Sequence, residues 1–239
     1  MRLDVYFTPP GLTAGDLAGR GVVVIDALRA TTTIISALAS GARAVVPAAS
    51  SEEAVKMTAN LERDGFVLAG ERKYLAIPGF ALGNSPREMT PESVGGKTVY
   101  LATTNGTPAL VAAQGADPVL VGAAVNFNAL AARARDLFQE RGDLVIICAG
   151  HEKQFALEDA YVAGRLVKAV KKRLRRVALN DSANVALGLT QRYDDWLDAF
   201  TACEAGRQLK ELDLGEDVTF SAEDDRFAIV PTYSDRRIT

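Results

Sequence analysis

Short runs of apolar, often β-branched residues alternate along the chain with longer stretches in which polar and apolar positions mix at helical spacing. Val22–Ile25 is a continuous apolar run, the pattern of a strand buried on both faces. Ala44–Pro47, Val67–Ala69, Val99–Thr103, Val119–Gly122 and Leu144–Cys148 read as further strands, and Arg2–Phe7, stopped by Pro9-Pro10-Gly11, as an edge strand. Between them the pattern predicts helices over Thr32–Ser40, ended by Gly41, over Ser51–Asp64, over Asn128–Arg141 and over Leu157–Leu174, whose basic end suits the helix dipole. Ser182–Leu189 and Tyr193–Ala205 read as helices, with Arg207–Leu212 extending the last, and Val218–Ser221 with Phe227–Pro231 as a terminal hairpin. Lys73–Pro91 has several Gly and Pro residues and little periodicity, so it reads as a long functional loop. Alternating strands and helices predict an α/β fold, a mostly parallel sheet flanked by helices, with ligands at the carboxyl ends of strands.

One pattern occurs twice. Gly21–Ala49 (GVVVIDALRATTTIISALASGARAVVPAA) and Gly96–Ala124 (GKTVYLATTNGTPALVAAQGADPVLVGAA) are each an apolar run, a Thr-rich loop, a helix-like segment, Gly-Ala and a second apolar run. The expected architecture is therefore a single α/β unit over residues 1–239 with two related halves. Each copy puts hydroxyls and first-turn amides where a strand becomes a helix, and such a junction attracts anions.

Composition narrows the function classes. Of 239 residues, 48% are hydrophobic, enough for a sizeable core, and the net charge of −3 argues against a broad basic face for nucleic acid. Cys148 and Cys203 are too few for a disulfide framework or a thiolate zinc site, and Cys148 reads as a buried strand residue. The start, MRLDVYFTPPG, does not read as a signal peptide, and no apolar run has the roughly 20 residues of a membrane helix. A cytoplasmic protein with no membrane or nucleic-acid partner is expected.

Asp26 directly follows an apolar run, and Arg29 stands just before Ala30-Thr31-Thr32-Thr33. Asp26 could bind a metal or a proton there. Arg29 could grip an anion, its fork of donors matching phosphate or carboxylate oxygens, or the two could form an ordinary structural ion pair. In Thr103-Thr104-Asn105-Gly106-Thr107 the Asn-Gly pair can turn amides inward. Glu71-Arg72, Asn84-Ser85 and Glu158-Asp159 are weaker candidates singly, but the acids, with Asp26, form an oxygen-rich set of the kind magnesium prefers. His151, the only histidine, reads as incidental to catalysis, and Trp196 as a core residue. There is no GxxxxGK[ST], GxSxG or HExxH motif.

Taken jointly, VVVIDALRATTTI, LAGERKYLAIPGFALGNSP, LATTNGTPAL, ICAGHEKQFALEDAYVAG and LDLGEDVTF resemble the 2-phosphosulfolactate phosphatase (ComB-like) family of coenzyme M biosynthesis, over nearly the whole chain. The resemblance implies Mg²⁺-dependent hydrolysis of 2-phospho-3-sulfolactate to 3-sulfolactate and phosphate. It carries the family's motifs onto Asp26, Leu28, Arg29, Ala30, Thr31 and Thr32, onto Gly70-Glu71-Arg72, onto Gly83-Asn84-Ser85-Pro86, onto Thr103–Thr107, and onto Cys148–Gly150 with Leu157–Asp159. Ala81 stands where the family often has Asp, and His151–Gln154 lacks an expected Gly. The resulting expectation gives catalytic roles to Asp26, Arg29, Glu71 and Arg72 and substrate contacts to Thr31, Thr32, Asn84, Ser85 and Thr103–Thr107. Asp26 would hold Mg²⁺ with one or more of Glu71, Glu158 and Asp159. Attack by water is the first choice, and a phosphorylated Asp26 the second. A phosphatase of other small phosphorylated acids and a non-catalytic anion-binding protein are the competing readings, and a homodimer is compatible with all of them.

Overall fold

The computed structural model describes residues 1–174 and 176–239, the side chain at position 14 excepted. Its strands are β1 (Arg2–Tyr6), β2 (Gly21–Ile25), β3 (Ala44–Ala48), β4 (Phe66–Arg72), β5 (Leu75–Ala76), β6 (Thr98–Ala102), β7 (Val119–Gly122), β8 (Asp143–Cys148), β9 (Ala178–Leu179), β10 (Thr232–Ser234) and β11 (Arg237–Ile238). They form one mixed, mostly parallel sheet in the order β5-β4-β6-β3-β11-β10-β7-β2-β8-β1-β9. The expected α/β class is thus the observed one.

The sheet has two parallel stacks, β4-β6-β3 and β7-β2-β8-β1-β9. The β10–β11 hairpin joins them, antiparallel to β7 on one side and to β3 on the other. Three successive antiparallel pairings reverse the ladder sense, so the stacks run in opposite directions. The chain crosses between them twice. β2 leads through the Ala30–Ala39 helix to β3, and β6 leads through the Gly106–Ala112 helix to β7. Pairing is reciprocal: β2 lies parallel to β7, and β3 parallel to β6.

Both faces of the central strands are covered, which explains apolar runs without polar alternation. Val23 and Ile25 pack with Leu130, Phe138, Tyr161 and Trp196 on one face, while Val22 and Val24 pack with Ile34, Ile35 and Leu110 on the other. The long helices Phe127–Arg141 and Leu157–Lys171 cover the first face. Cys148 and Trp196 are buried, as expected. Among the described residues no helix is long and apolar enough to cross a membrane.

Several elements differ from their sequence pattern. β1 is not an edge, because β9 pairs with its outer side. Val218–Ser221 lies in a helix, Gly215–Ser221, and the terminal hairpin is β10–β11 instead. Acids at Glu216 and Asp217 favour a helix start, and Asp217, Val218 and Ser221 share the buried side. Tyr193–Ala205 is interrupted at Cys203, whose thiol accepts the Gly206 amide at 3.2 Å and so caps a separate helix, Glu204–Glu211. The Lys73–Pro91 loop contains β5 and a 3₁₀ turn at Pro86–Glu88, and Pro91 opens a short helix.

Candidate active site

A cavity of about 430 Å³ opens where the segments after β2, β4, β6 and β8 meet. The two stacks touch at its base: a Cβ on Gly106 would press into the Ala30 methyl and lie 2.7 Å from Asp26 Oδ2. The helix starts at Ala30 and Gly106 therefore converge on Asp26.

Asp26 is buried and lines the cavity. Its Oδ1 accepts the Ala30 amide at 3.0 Å. Burial pushes its carboxyl up to about 7, against the Ala30 hydrogen bond, and the nearby charges of Glu71 and Glu158 push the same way. Glu71 closes another side: Oε1 accepts the Thr104 amide at 2.7 Å and Oε2 the Tyr74 amide at 2.9 Å. Asn84 is buried in the wall, and its Oδ1 has no hydrogen-bond partner. A buried amide oxygen left without a donor costs free energy unless a ligand completes it.

Other expected residues lie close by but do different work. Arg29 lines the cavity, yet Nη1 donates to Asp217 at 2.7 Å and Nη2 to the Tyr74 carbonyl at 2.6 Å. Its charge is thus already balanced, and Asp217 also accepts the Ser85 hydroxyl at 2.6 Å. The partner of Arg29 is therefore Asp217, not Asp26 as the structural alternative had it. Thr31 and Thr32 do not reach the cavity wall; their hydroxyls donate to the carbonyls of Asp26 and Ala27 at 2.8 and 2.9 Å and shape the turn. Thr107 likewise closes the Thr103–Thr107 loop, its hydroxyl donating to the Thr103 carbonyl at 3.0 Å, while Thr103, Thr104 and Asn105 face the cavity. Arg72 lines an adjoining depression beside Ser50 and Ser51, which shares Glu71, Thr103 and Thr104 with the cavity.

Glu158 and Asp159 are buried behind the base rather than in the wall. Both oxygens of Asp159 accept amides, Ala27 at 2.8 Å and Gly150 at 3.1 Å, so it ties the loop after β2 to the loop after β8. Burial raises both carboxyls, that of Asp159 well above its ordinary value, with the charge of Asp26 adding to the effect there. Among the described residues no three acidic, histidine or cysteine side chains form a ready metal cage.

Four further wall residues carry no role in the sequence reading. Lys73, Tyr74 and His151 ring the mouth, and Glu204 faces them from the Glu204–Glu211 helix. Tyr74 and His151 stack with centroids 5.8 Å apart and planes at 15°. Asp217 was present in LDLGEDVTF but carried no expected role; a buried arginine needing an acid was the available signal.

Residues 6–236 match the family model described as 2-phosphosulpholactate phosphatase. The chain belongs to this family. Among its relatives, a protein named probable 2-phosphosulfolactate phosphatase from Caldanaerobacter subterraneus subsp. tengcongensis is 40% identical, covering 97% of this chain and 95% of its own. A protein of the same name from Symbiobacterium thermophilum is 41% identical, covering 94% and 96% respectively. One from Clostridium beijerinckii is 34% identical over 100% of this chain and 99% of its own. The family segments identified in the sequence are the ones that supply the base of the cavity: Asp26, Glu71, Asn84 and the Thr103–Asn105 loop.

Proposed function

We propose that this protein is a Mg²⁺-dependent phosphatase that hydrolyses 2-phospho-3-sulfolactate to 3-sulfolactate and phosphate. The observation carrying this reading is the base of the cavity, where Asp26, Glu71 and the orphaned Asn84 carbonyl oxygen line one space beside two helix starts. Acids there repel a phosphate ester on their own, whereas a hard cation reconciles the two.

The donor set fits magnesium. Asp26, Glu71 and Asn84 offer oxygen only, and Mg²⁺ takes few protein ligands, completing its octahedron with water and phosphate oxygens. Asp26 and Asn84 would hold the ion, with Glu71 oriented by its two amides. Bound there, Mg²⁺ would supply charge neutralisation at the phosphoryl oxygens. Glu158 and Asp159 are assigned to the support of that base.

In the proposed reaction a water oxygen bonds to phosphorus, the ester P–O bond breaks, and the proton that the water gives up ends on the leaving alkoxide. Asp26 Oδ2, the oxygen not engaged by Ala30, orients the water. The Thr104 and Asn105 edge positions the ester from the opposite wall.

Phosphate release from 2-phospho-3-sulfolactate, compared with a panel of other phosphorylated acids, tests the reading. Release should require Mg²⁺, stop with EDTA and show its highest specificity constant for the sulfonated ester. Asp26→Asn should lower turnover about a hundredfold or more. Comparable specificity constants across the panel would favour a broader phosphatase, and binding without turnover a non-catalytic role. A labelled phospho-enzyme trapped at Asp26 would replace direct water attack by a two-step route.

A further inference from the structure

The cavity has a buried base and an open mouth. Asp26, Arg29, Glu71, Asn84 and Thr103 are buried, whereas Tyr74 and His151 are half-buried and Lys73, Glu152 and Glu204 exposed. The phosphoryl group belongs at the base in the reading above, so the rest of the substrate must extend toward the mouth.

Two tight hairpins frame that mouth. Lys73 and Tyr74 form the two-residue turn between β4 and β5, with φ of 49° and 69°. Glu152 and Lys153 form the turn that closes the His151–Gln154 bridge, with φ of 47° and 67°. All four are side-chain-bearing residues in the left-handed region, where Asn and Gly are the usual occupants of such turns. Strain of this kind persists where the surroundings fix it. Here Glu71 and Arg29 hold the Tyr74 backbone at both ends, while Asn105 Oδ1 accepts the Glu152 amide at 3.0 Å.

The two turns bring Tyr74 and His151 together. The Tyr74 hydroxyl lies 3.3 Å from His151 Nδ1. A phenol is protonated near neutral pH, so the Tyr74 hydroxyl can donate to that nitrogen. In the tautomer in which Tyr74 donates to Nδ1, the ring proton of the neutral imidazole sits on Nε2. Nε2 has no protein partner among the described residues, and His151 lines the cavity. The other side chains that could meet an anion are committed or loose: Arg29 is paired to Asp217, and Arg72, in the adjoining depression, and Lys73 are exposed.

We propose that His151 is a specificity-determining residue, its Nε2–H held by Tyr74 so that it donates to a substrate oxyanion remote from the phosphoryl group. The inference rests on the phosphatase reading for the orientation of the substrate. The ligand chemistry is a carboxylate or sulfonate oxygen. Because the imidazole is held before the ligand arrives, little ordering entropy is lost on binding.

As the chain's only histidine, His151 gives a single imidazole signal in protein labelled with ¹⁵N-histidine. With Mg²⁺ present, 3-sulfolactate should shift Nε2, and inorganic phosphate should leave it nearly still. A shift with lactate as well assigns the contact to the carboxylate; a shift with sulfolactate alone assigns it to the sulfonate. Both outcomes support the proposal. Equal shifts with phosphate, or none at the highest sulfolactate concentration, overturn it. Tyr74→Phe should alter the Nδ1 and Nε2 shifts of the ligand-free protein. In turnover assays His151→Ala should raise KM for 2-phospho-3-sulfolactate about tenfold with kcat little changed, the scale of one hydrogen bond to a charged group. His151→Gln, which keeps an amide donor near the Nε2 position, should stay within about threefold. An equal loss for esters lacking a second anionic group would reduce His151 to a structural role. Absence of phosphate release by the unaltered protein would sink the phosphatase reading but not the binding result.

Discussion

The carboxyl of Asp26 is the residue on which geometry and electrostatics meet most directly. Its folded value of about 7 stands above its ordinary 3.8. Between those values the folded protein holds a proton that the unfolded chain has lost. This group's contribution therefore favours folding at low pH and is lost as pH rises through about 7. Asp26→Asn should remove that dependence. Urea unfolding in EDTA at about pH 5 and about pH 8 should show the wild type losing on the order of 2 kcal/mol more than the variant on going to the higher pH. Equal losses would mean that Asp26 is not the strained carboxyl. The same residue illustrates a limit of sequence reading. Asp26 and Arg29 stand three apart and invite pairing, yet the arginine reaches Asp217, almost the length of the chain away. A partner supplied by a distant helix leaves no local spacing to read.

At the scale of elements, the decisive contact is between two helix starts. Gly106 is next to Ala30 and Asp26 with no room for a methyl group. Gly106→Ala should force the two loops apart, destabilising the fold by about 1–3 kcal/mol and lowering activity out of proportion to stability. Thermal unfolding and phosphate release measured on the same sample would separate these effects, and a variant unchanged in both would mean that the loops can yield. Strands were legible because runs such as Val22–Ile25 are apolar on both faces, and the Thr-rich turns because they follow those strands directly. The strand-like Val218–Ser221 misled because its helix depends on tertiary burial of Asp217 against Arg29. The Thr31 and Thr32 hydroxyls were visible, but not that their own turn would use them. His151 looked incidental because its partner, Tyr74, belongs to a different hairpin.

Across the whole molecule, the β10–β11 hairpin is the only connection between the two stacks within the described sheet. Ile238 is fully buried opposite Val45. Ile238→Ala should cost about 2–5 kcal/mol in urea unfolding, in one transition, since the stacks depend on a common seam. A cost below about 1 kcal/mol would show that the hairpin is peripheral. The reciprocal pairing of β2 with β7 and β3 with β6 has a further meaning. A lone strand–helix–strand unit would leave both of its strands without parallel neighbours, and two identical copies would satisfy each other about a two-fold axis. One polypeptide thus joins its two units by the pairing that two identical copies would use. At that axis a symmetric pair could offer only two equal loops. This chain instead sets a charged loop, Asp26 and Arg29, against an uncharged one, Thr103–Asn105. Loss of symmetry between the two loops is what gives the cleft distinct ends, and so a direction in which a substrate can lie.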